Sequence, residues 1–197
     1  RSAVYRTFKS KSINTVPQEK RDIAKKFKEY EPGYIHIDVT YLPKFNGKSY
    51  YLFVAIDRCT RSMIYWIYEN KTAENTIDFM DKCLDFFPFI ITHILTDNGL
   101  EFTNRLLVSK TGNSCQKPSK MDEKCIENNI QHRLTAPFTP KTNGMVERVN
   151  GIIKNDTILR TRYKYLTVMK TALLRFLKFY NLHRRNGYLR KELKVKT

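Results

Sequence analysis

The chain of 197 residues is 41% hydrophobic and 13% aromatic, enough to build a core for one domain with extensions or for two small domains. No run of about 18 apolar residues is present, so a membrane-spanning helix is not expected. The four cysteines and four histidines lack the Cys-x-x-Cys spacing of a zinc site, and we expect reduced cysteines in a cytoplasmic protein.

The net charge of +17 is concentrated at the two ends of the chain. Residues 1–30 contain nine basic and three acidic residues, residues 31–146 thirteen of each, and residues 147–197 fourteen basic and three acidic residues. Basic flanks around a neutral middle are typical of a protein that holds a polyanion such as nucleic acid by its ends. A basic surface that serves only solubility is the alternative.

In chain order, residues 1–32 lack a packed pattern and the apolar segment of a signal peptide, and are interpreted as a basic linker. The segment YIHIDVTYL then alternates, with Ile35 on one side and Asp38 on the other, which predicts a strand with one polar face. Asn46-Gly47 predicts a tight hairpin. The runs YYLFVAI and RSMIYWIYE predict two more strands, so the first three strands form an antiparallel meander.

The hydrophobic period then changes to that of a helix in TAENTIDFMDKCLDFF, with Thr72 as its N-cap and Pro88 just after its end. The segment FIITHILTDNG is predicted to be a buried strand that stops at Asp97. Residues 103–120 are predicted to be a loop, MDEKCIENN a short helix, and IQHRLTA the last strand.

Two helices are predicted to complete the chain, after a loop that contains Pro137 and Pro140. The first runs from about Asn143 to Tyr163, and a second, over residues 166–182, is apolar on more than half of its circumference. This order predicts an α/β fold with a five-stranded mixed sheet and helices on both faces. We expect a core domain over 33–165, and a helix and basic tail over 166–197 that pack on the core or on a partner. The buried stripe of the first helix is predicted to be Met145, Val149, Ile152 and Leu159.

Three carboxylates lie at distinct points of this topology: Asp38 within the first strand, Asp97 at the end of the fourth, and Glu147 in the first turn of a helix. Burying a carboxylate on a central strand is costly, and a shared divalent cation would explain it. Ligation by oxygen alone favours Mg²⁺ or Mn²⁺ over zinc. Each acid could instead be an ordinary surface, turn or helix-dipole residue, and Asp57 and Glu101 compete for the same role, so spacing alone leaves the choice open.

The motifs HIDVTYL, ILTDNGLEF and PFTPKTNGMVERVNGIIK together resemble the catalytic core shared by retroviral integrases and DDE-type insertion-sequence transposases, and look closer to the bacterial transposases. The resemblance covers about residues 33–190. It implies an RNase H-like fold in which Asp38, Asp97 and Glu147 form an acidic triad that binds two Mg²⁺ (or Mn²⁺) ions. It also implies that water cleaves the ends of a mobile element, after which the freed 3′-hydroxyl attacks target DNA.

The resemblance further implies DNA as a partner, a homodimer or higher oligomer, and a bacterial, nucleoid-associated protein. No zinc-binding unit or helix-turn-helix precedes the core, so residues 1–32 are interpreted as the tail of a missing DNA-recognition domain. A catalytically inactive DNA-binding or assembly remnant is the alternative function, and an RNase H-like nuclease is a less favoured one. The residues expected to contact DNA are Lys154, Asn150, Arg148, Lys141, Arg184 and Arg185.

Overall fold

The computed structural model describes residues 31–105, 117–135 and 144–183, and three positions near the start of the chain, 7, 10 and 11. The fold below concerns the compact unit of residues 31–197. Its elements in chain order are β1 Tyr34–Tyr41, β2 Tyr51–Asp57, β3 Met63–Tyr68, α1 Ala73–Phe86, β4 His93–Thr96, α2 Lys120–Glu127, β5 Gln131–Leu134, α3 Gly144–Ile153, a π-helical turn Lys154–Ile158, and α4 Leu166–His183.

The five strands form one mixed sheet in the order β3-β2-β1-β4-β5. β2 pairs antiparallel with both β1 and β3, whereas β4 pairs parallel with both β1 and β5. The predicted mixed sheet and its antiparallel meander are therefore confirmed. β1 lies at the centre of the sheet, between an antiparallel and a parallel neighbour.

The turn between β1 and β2 has the chemistry that its sequence predicts. Phe45 and Lys48 exchange backbone hydrogen bonds of 3.1 and 3.0 Å, and the two residues between them have positive φ, 50° at Asn46 and 76° at Gly47. Positive φ at both central positions is the geometry that favours Asn-Gly in a two-residue hairpin.

Alternation along β1 divides the apolar core into two clusters, one on each face of the sheet. Ile35 and Ile37 point to the first cluster, which α1 and α2 cover, and the even-numbered residues of β1 point to the other face. Helices therefore cover both faces, as predicted. The first cluster includes Phe53, Phe79, Met80, Met121 and Cys125, and the second includes Leu52, Val54, Val146, Val149, Ile153, Met169 and Leu173.

The ends of α1 follow the predicted stop and start residues. The Thr72 side chain accepts a hydrogen bond from the backbone N–H of Asn75, and the helix ends at Phe86, two residues before Pro88. The fourth strand ends at Thr96, so Asp97 is the first residue beyond it.

The buried stripe predicted for the first of the two C-terminal helices is confirmed at Val149, is partly right at Met145, which is half-buried against the second cluster, and is wrong at Leu159. The buried residues of α3 are Val146, Val149, Asn150 and Ile153, and Leu159 is 70% exposed. The helix also stops short of Tyr163, because a π-helical turn replaces the α-helical pattern from Lys154 onwards. A π turn takes one more residue than an α turn, so the α-helical period no longer predicts which side chains face the sheet. The predicted cap Asn143 lies outside the described residues.

The last helix, α4, packs against the edge strand β3 and against the π-helical turn. Met169, Leu173 and Tyr180 are its buried residues. Asn181 fixes its far end, because its side chain accepts from the backbone N–H of Met63 (3.0 Å) and donates to the carbonyl of the same residue (2.8 Å). No helix in the described ranges combines the length and the apolarity that crossing a membrane would require.

Candidate active site

The parallel pairing of β1 with β4 brings two of the three predicted acids together. His36 pairs with Leu95 in this ladder. Continuing the same register by two residues places Asp38 beside Asp97. The Asp38 carboxylate lies on the face that α3 covers, since it bonds Asn150. Residues that share a register point to the same face of a sheet, so the continued register would put Asp97 there as well.

The Asp38 carboxylate is partly buried and is held at both oxygens. Oδ1 accepts the backbone N–H of Val39 at 2.9 Å, and Oδ2 accepts the side-chain amide of Asn150 at 2.7 Å. Burial, and after it the negative charges of Asp97 and Glu147, raise the pKa of Asp38 to about 6, although the two hydrogen bonds oppose the rise. The three predicted acids therefore belong to one electrostatic cluster, although they come from three separate elements.

Asp97 begins a tight turn, in which its Oδ1 accepts the backbone N–H of Gly99 at 2.9 Å. The absence of a side chain at Gly99 leaves room for two carboxylates. A Cβ atom there would lie 2.8 Å from Oε2 of Glu101 and 3.0 Å from Oδ1 of Asp97. The two carboxylate oxygens are therefore no more than about 6 Å apart.

Glu147 occupies the first turn of α3, where its side chain is exposed above the buried Val146 and Val149. The positive end of the helix dipole favours an ionised carboxylate in the first turn. One turn later, Asn150 is 5% exposed, and its Oδ1 has no hydrogen-bond partner among the described residues while its Nδ2 binds Asp38. An unpartnered buried oxygen beside a carboxylate cluster is a feature that a bound cation or its water would satisfy.

The donor set fits a hard divalent cation, because three carboxylates supply only oxygen ligands. As the side chains stand, no three His, Cys, Asp or Glu residues in the described part of the chain lie close enough to hold one ion. An ion held by all three acids would therefore require their side chains to move closer together.

The two competing acids have different surroundings. Asp57 is fully buried and its carboxylate is occupied by four donors from two loops: the backbone N–H groups of Gly33, Cys59 and Thr60, and the Thr60 hydroxyl. It joins the start of β1 to the turn after β2. Glu101 is buried and pairs with Lys71, with 3.4 Å between Nζ and Oε1.

Of the residues predicted to contact DNA, three lie within the described ranges. Arg148 is exposed on α3, Lys154 is half-buried at the start of the π turn, and Asn150 is engaged with Asp38. The contacts of Asn150 point to a role in holding Asp38 rather than DNA, while its DNA contact stays a prediction. Lys141, Arg184 and Arg185 lie outside the described residues.

Two residues at the rim of the cluster were missed by the sequence analysis. The Lys71 ammonium lies 5.8 Å from the centre of the Tyr41 ring, and this ring is 63% exposed at the end of β1. An exposed ring can stack on a nucleobase, and a cation beside the ring can bind a phosphate. Neither residue could have been found from the sequence, because the alternation of β1 assigns Tyr41 to the face opposite to Asp38, and nothing in the local sequence indicates Lys71.

His36 was also missed, although it lies two residues before Asp38 on the same face. Its side chain is buried, and neither ring nitrogen has a hydrogen-bond partner among the described residues. Burial lowers the pKa of His36 to about 4, and the charges of Arg58 and Arg61 act in the same direction. The ring is therefore neutral at physiological pH.

Comparison with known proteins identifies a family for most of this region. Residues 29–140 match the family model described as "Integrase core domain", and residues 128–191 match a second model of the same description. The chain is 29% identical over 174 residues to a protein of Spiroplasma virus SpV1-C74 that is named "Putative integrase ORF3". It is 28% identical over 118 residues to the Gag-Pro-Pol polyprotein of Human T-cell leukemia virus 2.

These alignments cover unequal shares of the proteins. They cover 83% of this chain and 48% of the Spiroplasma virus protein, and 60% of this chain and 7% of the polyprotein. The chain thus spans at most about half the length of these two relatives.

Two solved structures show the same RNase H-like fold. The HTLV-2 integrase catalytic core domain in complex with magnesium, in its dimeric form, has a TM-score of 0.58 and 24% identity, and the match covers 81% of this chain and 94% of that one. The catalytic core domain of BIV integrase has a TM-score of 0.56 and 17% identity, covering 84% and 99%.

Proposed function

Because this chain belongs to the family of integrase core domains, we propose that it is the catalytic core of a DNA integrase or transposase, which cuts transposon ends and joins their 3′-hydroxyls to target DNA. The observation that supports the proposal is the parallel register of β1 against β4, in which His36 pairs with Leu95, two residues before Asp38 and Asp97. Glu147 is close enough to Asp38 for its charge to affect the ionisation of Asp38.

In this proposal Asp38, Asp97 and Glu147 hold two Mg²⁺ or Mn²⁺ ions. When bound, such ions activate an attacking oxygen and stabilise the leaving oxygen of a phosphodiester. The chain itself orients the ligands. Asn150 and the backbone N–H of Val39 fix the two oxygens of Asp38, and the backbone N–H of Gly99 fixes one oxygen of Asp97.

DNA is the proposed substrate because the basic residues flank a neutral middle segment. Near the carboxylates, we propose that Lys71 and Lys154 bind the phosphates beside the cut. Arg148 extends this basic surface along α3. Tyr41 would stack on a base of the same strand.

Self-association is proposed through α4, whose outer side is unusually apolar. Val168, Leu174, Phe179 and Leu182 are each more than half exposed. Burying such a surface against a second copy would remove it from water. Sedimentation velocity tests this: Phe179→Glu and Leu182→Glu should shift a dimer toward monomer, whereas the matched control Leu159→Glu, an exposed apolar residue outside α4, should not.

The catalytic proposal is tested first with supercoiled plasmid, since nicking by water needs no knowledge of the terminal sequence. We expect nicking that requires Mn²⁺ or Mg²⁺ and is lost in Asp38→Asn, Asp97→Asn and Glu147→Gln. Glu127→Gln removes an exposed acid of α2 and is the matched control that should keep activity.

Strand transfer is then measured with pre-cleaved duplexes that carry the element's ends. Nicking that survives in Asp97→Asn would refute the triad. A folded chain that binds DNA but neither nicks nor joins it with either metal would favour the inactive remnant.

A further inference from the structure

A buried line of hydrogen bonds connects α2 to the end of β4, behind the proposed active site. Asp122 Oδ1 lies 2.7 Å from Nδ1 of His132, and Nε2 of His132 lies 2.9 Å from the Thr96 hydroxyl. The backbone carbonyl of Asp97, 3.0 Å from the Thr96 hydroxyl, is a second acceptor for the same hydroxyl hydrogen. The His132 side chain is 3% exposed and Thr96 is fully buried, so water does not compete for these bonds.

The outer end of this line is rigid because Asp122 also caps α2. Its Oδ2 accepts the backbone N–H of Ser119 at 3.1 Å, in a capping box, and Arg105 lies 3.4 Å from Oδ1. The carboxylate therefore presents a fixed acceptor to His132. The Ser119 hydroxyl also donates to the carbonyl of Phe102 at 2.7 Å, which ties the same cap to the turn after Asp97.

The hydrogens on His132 determine the direction of the Thr96 hydroxyl. A carboxylate can only accept, so Nδ1 of His132 carries a hydrogen and donates it to Asp122. In the neutral ring Nε2 then accepts the single hydrogen of the Thr96 hydroxyl, so the hydroxyl cannot at the same time donate to the Asp97 carbonyl. Burial lowers the pKa of His132, although Asp122 opposes this, which is consistent with the neutral ring.

We propose that His132, oriented by Asp122, is a positioning residue that acts through Thr96 to hold Asp97 in the geometry needed for metal binding. Thr96 is the last residue of β4 and Asp97 the next, so the direction of the Thr96 side chain fixes the start of the turn that carries the carboxylate. Outer partners of this kind typically change metal affinity about 10- to 100-fold. The inference rests on the proposed function, because it assigns Asp97 a metal.

The test is Mn²⁺ binding by calorimetry on the full chain, with thermal unfolding recorded for each variant. Thr96→Val keeps the shape but removes the hydroxyl, and His132→Leu removes both ring nitrogens; each should weaken Mn²⁺ binding about 10-fold or more. Thr96→Ser retains a hydroxyl and should bind nearly as the unsubstituted chain does. Thr76→Val is the matched control, because it removes an equally buried hydroxyl in α1 that bonds the carbonyl of Thr72.

The outcomes separate the two proposals. Unchanged Mn²⁺ affinity in folded Thr96→Val and His132→Leu would overturn the positioning role, and so would equal losses in Thr96→Val and Thr76→Val. Mn²⁺ binding that is absent, or that persists undiminished in Asp97→Asn, would overturn the proposed function and this inference with it. Nitrogen-15 spectra of the metal-free chain give a second readout, since a hydrogen on Nε2 rather than Nδ1 of His132 would contradict the assigned bonds.

Discussion

The substitution Asp38→Asn should stabilise the metal-free protein, and only above acidic pH. The pKa of Asp38 is raised from 3.8 to about 6, chiefly by burial and by the charge of Asp97. Between these two values the folded state binds more protons than the unfolded state. The free energy of unfolding therefore falls as the pH rises from about 4 to about 6 and does not recover above it.

The size of the effect follows from the shift of about two pKa units. Each unit corresponds to about 1.4 kcal/mol, so ionised Asp38 costs up to about 3 kcal/mol at pH 7. The asparagine can keep the bond from Asn150, but one of its two polar atoms is a donor and is poorly placed for the N–H of Val39. We therefore expect a net gain of about 1–3 kcal/mol at pH 7 and almost none at pH 4.

The assay is urea unfolding at a series of pH values, with a chelator present and then with Mg²⁺. Added Mg²⁺ should stabilise the unsubstituted chain, by about 2.7 kcal/mol at a concentration 100 times the dissociation constant, and should stabilise Asp38→Asn far less. The free energy of unfolding of Glu127→Gln should differ from that of the unsubstituted chain by an amount that does not change with pH. If Asp38→Asn were no more stable at pH 7 than at pH 4, relative to the unsubstituted chain, the electrostatic description of the cluster would be wrong.

Three further predictions concern stability and metal binding. His36 is held neutral with a pKa of about 4 against an ordinary 6.5, so stability should fall as the pH drops from about 6.5 to about 4, by about 3 kcal/mol, and acid unfolding of His36→Gln should show a smaller loss. Gly99→Ala places a methyl group within 3.0 Å of two carboxylate oxygens, so calorimetry should show weaker Mn²⁺ binding with a small change in melting temperature. Gly33→Ala should cost several kcal/mol in urea unfolding, because φ is +112° and the new Cβ would lie 2.3 Å from the carbonyl oxygen of Ile90; Gly47→Ala, with φ +76° but open space, should cost only about 1 kcal/mol.

Much of the fold could be predicted from sequence because its determinants are local. Period-two alternation in β1, the Asn46-Gly47 turn and the Thr72 cap each depend on residues within a few positions of one another. The π turn over Lys154–Ile158 does not, and the predicted stripe failed beyond it at the exposed Leu159. Within α3 the buried residues keep α-helical spacing but include Val146 and Ile153 rather than Met145 and Ile152.

The candidate site could be predicted from the sequence only in part. Asp38, Asp97 and Glu147 could be named from motifs, and the register of β1 and β4 and the pKa of Asp38 now show that they share one neighbourhood. Spacing could not distinguish them from Asp57, whose four donors come from loops that are distant in sequence. The line from Asp122 through His132 to Thr96 was likewise hidden, since it forms only when α2 and β5 pack beside β4.

The ladder between β1 and β4 ends just before the two aspartates, and the chain needs fifty-nine positions to travel from one to the other. Their proximity is set by a few main-chain bonds and is independent of the path taken between them. The open turn at Gly47 could thus accept inserted sequence, such as a short peptide tag, without separating the pair. Lengthening β4 by one residue next to Asp97 would instead turn that carboxylate to the opposite side of the sheet, so the tolerance of this protein to insertions should differ sharply between these two places.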